Sequence, residues 1–167
     1  QKVTKAMKMV AAAKMRKAQE RMERARPYTN SLSEIIEHLL PDVDRDYLTL
    51  LHFREIKRKA YVIVSADRGL AGAFNTNLLK IAQREIDEFG KENVDIFCIG
   101  KKARDHFTYR NYNIIESHID FWAEMEFENA IMIGRSITDH FTSGSVDEIH
   151  VVYNYFMNIA QQEVKSE

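Results

Sequence analysis

The sequence predicts an α/β protein built from a long amino-terminal coiled-coil helix and a small Rossmann-like domain with a mostly parallel sheet of four to five strands. Two observations carry this reading. Residues 1–40 contain no glycine and a single internal proline, Pro27. Beyond residue 59, short apolar runs alternate with amphipathic stretches, the pattern of successive βαβ units. The divisions are 1–40 for the helix, 41–59 for a linker, 60–154 for the α/β domain and 155–167 for a terminal connection.

At about 1.5 Å of rise per residue, a continuous helix over residues 1–40 would be roughly 60 Å long. About 110 residues of body would fold to a radius of gyration near 13 Å. Such a helix is expected to outreach its own domain and to need a partner. Met15, Ala18, Met22, Ala25, Thr29, Leu32, Ile36 and Leu39 fall in alternating steps of three and four. That is a heptad seam with one polar member, Thr29. Val3, Met7 and Val10 make a second short stripe, out of phase with the first. The small side chains of Ala11, Ala12 and Ala13 permit close approach of another surface. Pro27 disfavours helical geometry at Arg26, and Ser31 with Glu34 has the spacing of a capping box. Those local signals favour a break. The seam keeps register across the proline, and a continuous or gently kinked rod is the preferred reading. Pro41, followed by Asp42, Asp44 and Asp46, ends it. No later segment has comparable heptads, so the coil's partner is another polypeptide or a further part of the same one.

Net charge is −1, yet residues 1–26 carry +7 and the remainder −8. A basic arm points to an acidic partner surface. Nucleic acid is a weaker reading, because the lysines and arginines surround the helix rather than line one face. An anionic membrane is weaker too, since no aromatic anchor precedes Tyr28. No apolar run approaches the ~18 residues of a membrane span. The lone Cys98 has no internal disulfide partner and points to a reducing compartment.

In the body, residues 61–64 are continuously apolar, as in a strand buried on both faces. Residues 76–89 read as a helix through Leu78, Leu79, Ile81, Ala82, Ile86 and Phe89, stopped by Gly90. Residues 94–99 form a second strand. Residues 101–109 form a short helix with Ala103 and Phe107 inward. A weaker strand covers 113–117. A helix over 123–142 is expected to turn Phe127, Ile131, Ile137 and Phe141 inward, and a fourth strand covers 149–153. Trp122 and the phenylalanines read as core. An apolar turn at 47–53 lies within the linker. Residues 154–167 carry no clear signal, helical or extended.

The sharpest local motif is Ser65-Ala66-Asp67-Arg68-Gly69-Leu70-Ala71-Gly72-Ala73-Phe74-Asn75. It follows the first strand, where dinucleotide folds place their phosphate loop. It lacks the G-x-G-x-x-G glycines, and no acidic residue follows the second strand to hold a ribose. The simpler reading is a tight βα turn in which Asp67 or Asn75 caps backbone amides. The six histidines are scattered, with no metal-ligand spacing. No catalytic group, metal site or cofactor site is predicted. A nucleotide-binding α/β enzyme using the 67–72 loop is the alternative.

Two stretches, Lys5-Ala6-Met7-Lys8-Met9-Val10-Ala11-Ala12-Ala13-Lys14 and Asp67-Arg68-Gly69-Leu70-Ala71-Gly72, with Arg26-Pro27-Tyr28 between them, closely resemble the paired signatures of the gamma subunits of F-type ATP synthases. The resemblance implies a non-catalytic central-stalk shaft that couples proton flow through a membrane c-ring to ATP synthesis in an alpha/beta catalytic hexamer. It implies contact of Lys5, Met7, Lys8, Met9, Lys14, Arg16 and Lys17 with the acidic carboxy-terminal parts of the catalytic subunits. It makes Met15, Ala18, Met22, Ala25, Leu32, Ile36 and Leu39 one half of an antiparallel coiled coil. It makes Asp67, Arg68, Gly69 and Gly72 a structural turn rather than a nucleotide site. Alpha, beta and epsilon subunits and the c-ring are the implied partners, with no nucleic acid. The implied location is a peripheral complex on the cytoplasmic face of a bacterial inner membrane, or its organellar equivalent. Residues 155–167 then read as a truncated connection towards a carboxy-terminal helix outside this chain, which starts within the amino-terminal helix.

Overall fold

A computed structural model describes residues 2–44, 48–51, 54–69, 71–120, 122, 127–158 and 161–167, apart from the side chains of residues 2 and 3. The chain divides into two compact units, Gln1–Leu48 and Thr49–Glu167.

The first unit is a single α-helix, α1 (Lys2–Leu39), with Pro27 inside it, followed by a 3₁₀ turn at Leu40–Asp42. The helix is therefore continuous, and the Ser31/Glu34 spacing does not open a new one. Pro27 removes one N–H from the ladder. Two residues on, the Thr29 hydroxyl donates to the Ala25 carbonyl at 3.3 Å. Pro41 sits in the closing 3₁₀ turn, where continuation is blocked. The Val3 side chain of the short stripe, Asp46, and the parts of the 47–53 turn at residues 47, 52 and 53 lie outside the described residues.

The second unit is a five-stranded sheet with helices on both faces. Its elements are β1 (Lys59–Val64), α2 (Phe74–Phe89), β2 (Val94–Ile99), α3 (Lys101–Tyr109), β3 (Ile114–His118), α4 (Phe127–Thr142), β4 (Glu148–Phe156) and β5 (Gln162–Ser166). Strand order is β3-β2-β1-β4-β5. The first four strands run parallel, and β5 pairs antiparallel with β4. Lys59 of β1 stands opposite Val94 of β2 and Glu148 of β4.

Alternation along the strands sorts the core into two faces. Tyr61, Ile63, Ile96 and Cys98 pack with Leu78, Ala82 and Ile86 of α2 and Ala103 and Phe107 of α3. Val62, Phe97 and Ile99 pack with Ile133 and Phe141 of α4. Central strands covered on both sides need no polar alternation, hence the unbroken apolar runs. Burial pushes the Cys98 thiol up to about 12, so it behaves as a small apolar core residue.

Several expectations need correction. β1 begins two residues before Tyr61, and α2 begins at Phe74. The third strand lies one residue later than read, at Ile114–His118. β4 continues to Phe156, and Gln162–Ser166 forms a strand where the sequence gives no clear signal. The start of the 123–142 helix lies outside the described residues. Phe127 is 72% exposed and Ile131 38%, whereas Ile133, Ile137 and Phe141 face the core. The inward stripe of α4 steps by four from Ile133 through Ile137 to Phe141, so the expectation holds for Ile137 and Phe141 and fails at Phe127 and Ile131. Trp122, 37% exposed, is not core.

Phe107 is fully buried and meets the Tyr112 ring edge-on at 5.1 Å. Phe107→Ala is expected to cost about 3–5 kcal/mol, measured as a shift in the urea unfolding curve of the chain.

Candidate functional site

The loop after β1 is the position at which an α/β sheet offers amides to a phosphate. In this chain the loop after β1 instead supplies acceptors, and they take the amides that open α3 after β2. Asp67 Oδ1 accepts from Lys101 N at 2.8 Å, Ala66 O from Lys102 N at 3.1 Å, and Ser65 Oγ from Ala103 N at 2.8 Å. The first turn of α3 is thereby satisfied by the β1–α2 loop. The second oxygen of Asp67 accepts from Asp120 N at 3.0 Å, which ties in the loop after β3. Asn75, the second residue of α2, folds back on the same loop. Its Oδ1 accepts from Ala66 N at 3.0 Å and its Nδ2 donates to Arg68 O at 3.2 Å.

Gly100 makes the closeness possible. Its φ is +102°, and a Cβ there would stand 2.1 Å from the Ser65 carbonyl oxygen. Gly72 also has positive φ, +57°, within the turn that starts α2. Gly69 stands beside the Lys102 side chain, and Arg68 is exposed. Leu70 lies outside the described residues. The arrangement holds three segments together: the loop after β1, the start of α3 and the loop after β3.

The residues read as partner contacts all lie on α1. Lys5, Lys8, Lys14, Arg16 and Lys17 are exposed, as are Met7 at 68% and Met9 at 66%. Arg16 pairs with Glu20 at 3.1 Å, one turn on. Along the seam, Met15, Ala18, Ala25, Leu32, Ile36 and Leu39 are exposed, and Met22 is partly covered. The helix thus brings the basic residues and the apolar seam onto one continuous rod.

A different constellation escaped the sequence reading. Asp95 in β2 is 3% exposed, yet it is fully partnered. Its Oδ1 accepts from Arg58 Nη2 and Asn113 Nδ2, each at 2.7 Å, and its Oδ2 meets His140 Nε2 at 2.7 Å. Next to it, Asp147 Oδ2 accepts from Lys57 N at 2.9 Å and Arg58 N at 3.0 Å. A signal was available: Asp95 interrupts an apolar strand, and a buried carboxylate demands donors. Which donors it finds depends on the sheet order.

His140 also lines an open groove of about 750 Å³ between α4 and β3, with Phe97, Ile115, Ile131, Met132 and Arg135. The groove's Ser136 hydroxyl donates to Glu116 and its His140 is turned onto Asp95. Among the described residues, no group of histidine, cysteine and acidic side chains is placed to hold a metal ion, and no helix is long and apolar enough to cross a membrane.

The two backbone amides at Asp147 hold its carboxyl below the usual carboxylate range. A depressed folded value contributes stability above the unfolded pKa of about 3.9 and loses it as pH falls through the folded value. The unfolding midpoint is expected to drop more steeply below about pH 4 in the parent chain than in Asp147→Asn, read from urea curves across an acid series.

Comparison with known proteins places this geometry. The family model described as ATP synthase matches residues 1–167. The ATP synthase gamma chain of Chloroherpeton thalassium is 41% identical over 173 residues, covering 100% of this chain and 57% of the relative. That of Desulforamulus reducens is 41% identical over 162 residues, covering 97% and 56%. The chain therefore spans somewhat over half the length of these curated relatives. Among solved structures, the central stalk/c-ring structure of the Tetrahymena thermophila mitochondrial ATP synthase matches with a TM-score of 0.78 at 22% identity, over 99% of this chain and 70% of that one. At that identity the likeness speaks for the fold.

Proposed function

The chain belongs to the ATP synthase family whose curated relatives carry the name gamma chain, and we propose on that premise that it is a shaft segment of the central stalk, non-catalytic in itself. In this reading it couples proton flow through a membrane c-ring to ATP synthesis and hydrolysis in an alpha/beta hexamer. The observation that carries the reading is α1: a 38-residue helix with an exposed apolar seam and a basic amino-terminal stretch. The seam would receive a second helix in an antiparallel coil. The basic end would face acidic segments of the catalytic subunits.

A rotating surface must push without binding tightly. Lys5, Lys8, Lys14, Arg16 and Lys17 are solvent-exposed, and exposed ion pairs contribute about 0.2–1 kcal/mol each. Such contacts bias shaft angle and are readily broken. Met7 and Met9 are flexible and repack against changing neighbours. The alanines at 11–13 let large side chains pass. Epsilon and the c-ring are assigned to the sheet unit's surroundings, and the complex to the cytoplasmic face of a bacterial membrane or its organellar counterpart.

Replacing Lys5, Lys8 and Lys14 by Gln in the full-length protein is expected to lower the ratio of ion pumping to hydrolysis by about three- to tenfold, the scale of a few exposed pairs. The check is proton uptake against ATPase rate in reconstituted vesicles, and an unchanged ratio would remove these charges from coupling. Asn75 already holds the Ala66 amide and the Arg68 carbonyl of the loop that the enzyme reading would use, which weighs against that reading. Titration of the chain with ATP, ADP or NAD is expected to give no dissociation constant below ~10 µM, measured by calorimetry.

A further inference from the structure

We infer that the segment at residues 54–58, with Arg58 and the buried Asp95 at its centre, is the mechanical anchor through which the shaft helix's backbone loads the sheet domain. This rests on the rotor reading above and adds the residues that bear the force.

The covalent chain leaves the helical unit at Leu48 and enters the sheet unit at Thr49. Force carried along the backbone from α1 therefore meets residues 54–58 before it reaches β1. These residues belong to no helix or strand, yet they are held by three separate devices. The Arg54 guanidinium donates to the carbonyls of Phe141 at 3.3 Å and Val146 at 3.4 Å, and lies 4.5 Å from the centre of the Phe141 ring. Asp147 clasps the backbone from both sides. Its carboxylate accepts from Lys57 N and Arg58 N, and its own N–H donates to Arg58 O at 2.9 Å. Arg58 then reaches Asp95.

The third device is the telling one. Asp95 also takes Asn113, just before β3, and His140 of α4. One buried carboxylate thus ties the entering segment to β2, to the start of β3 and to α4. Turn formation does not require this, and β1 already has two parallel neighbours. A buried ionic cluster is a poor device for stability alone, because well-packed apolar residues often do as well. It does fix geometry, because charge-assisted hydrogen bonds are short and directional. A pull on the segment is shared among four elements instead of peeling β1 from its end. Arg58 is a positioning residue in this scheme, since it acts through Asp95.

Arg58→Met is the informative variant. The Arg58 side chain is 41% exposed, and Asp95 keeps Asn113 and His140 when it is removed. The test uses the full-length protein assembled with its alpha/beta hexamer, with a viscous probe attached to the rotor. Unloaded rotation and ATPase rate are expected to stay within about twofold of the parent, while rotation under heavy load falls about fivefold or more, the scale of one lost charge-assisted hydrogen bond. Arg58→Lys, which keeps a cation on Asp95, is expected to restore loaded rotation. Amide exchange at Lys57 and Arg58 should quicken in Arg58→Met, with the α2 and α3 amides unchanged. Asp147→Ala, which releases the backbone clasp, is expected to give the same load-selective loss and serves if Arg58→Met does not assemble. Loaded rotation equal to the parent in either variant would overturn the anchor alone. Equal losses with and without load, at a lowered melting temperature, would also overturn it, by reducing the cluster to ordinary stability. Failure of the unmutated protein to assemble and rotate would overturn the rotor reading instead.

Discussion

The backbone of Gly100 lies against the carbonyl of Ser65, and much of the sheet domain follows from that approach. It brings the carboxy-terminal ends of β1 and β2 together closely enough for Ser65, Ala66 and Asp67 to satisfy the first turn of α3. A dinucleotide fold uses the loop after β1 and the helix that follows it to offer amides to a phosphate. Here the same loop supplies acceptors to α3 instead, through the Asp67 carboxylate, the Ala66 carbonyl and the Ser65 hydroxyl. The same carboxylate holds the loop after β3, so it links three connections at one end of the sheet.

Sequence patterns made much of this legible. β2 and α3 were read at their observed limits, because a strand buried on both faces and a short amphipathic helix bounded by Gly100 leave little room for error. Pro27 was the hard case. Its local chemistry argues for a break, and the heptad register carried across it argues for continuity, which the structure shows. In α4 the reading held at Ile137 and Phe141 but failed in the first turns, because Phe127 is aromatic and sits at helical spacing from Ile131, yet both face outward. Hydrophobicity alone cannot choose between two apolar stripes on one helix. β5 was missed because an antiparallel edge strand half open to solvent tolerates Gln162, Glu163 and Lys165, which carry no apolar alternation.

The exposed basic side chains and the apolar seam of α1 were readable for a simple reason. Charge and heptad spacing are properties of one segment, and one helix displays them together. The Asp95 cluster was not readable, because its four members come from distant stretches of chain and meet only through the order β3-β2-β1-β4. Residues that act within an element announce themselves in sequence. Residues that join elements do so only once topology is known.

The burial of Cys98 carries a practical corollary. The chain's one thiol is fully enclosed and shifted far from the ionised form that reacts with maleimides and disulfide reagents. Cysteines engineered at exposed positions, along α1 or on the outer face of α4, would therefore take up fluorophores or beads selectively. Native sulfur chemistry would not need to be removed first.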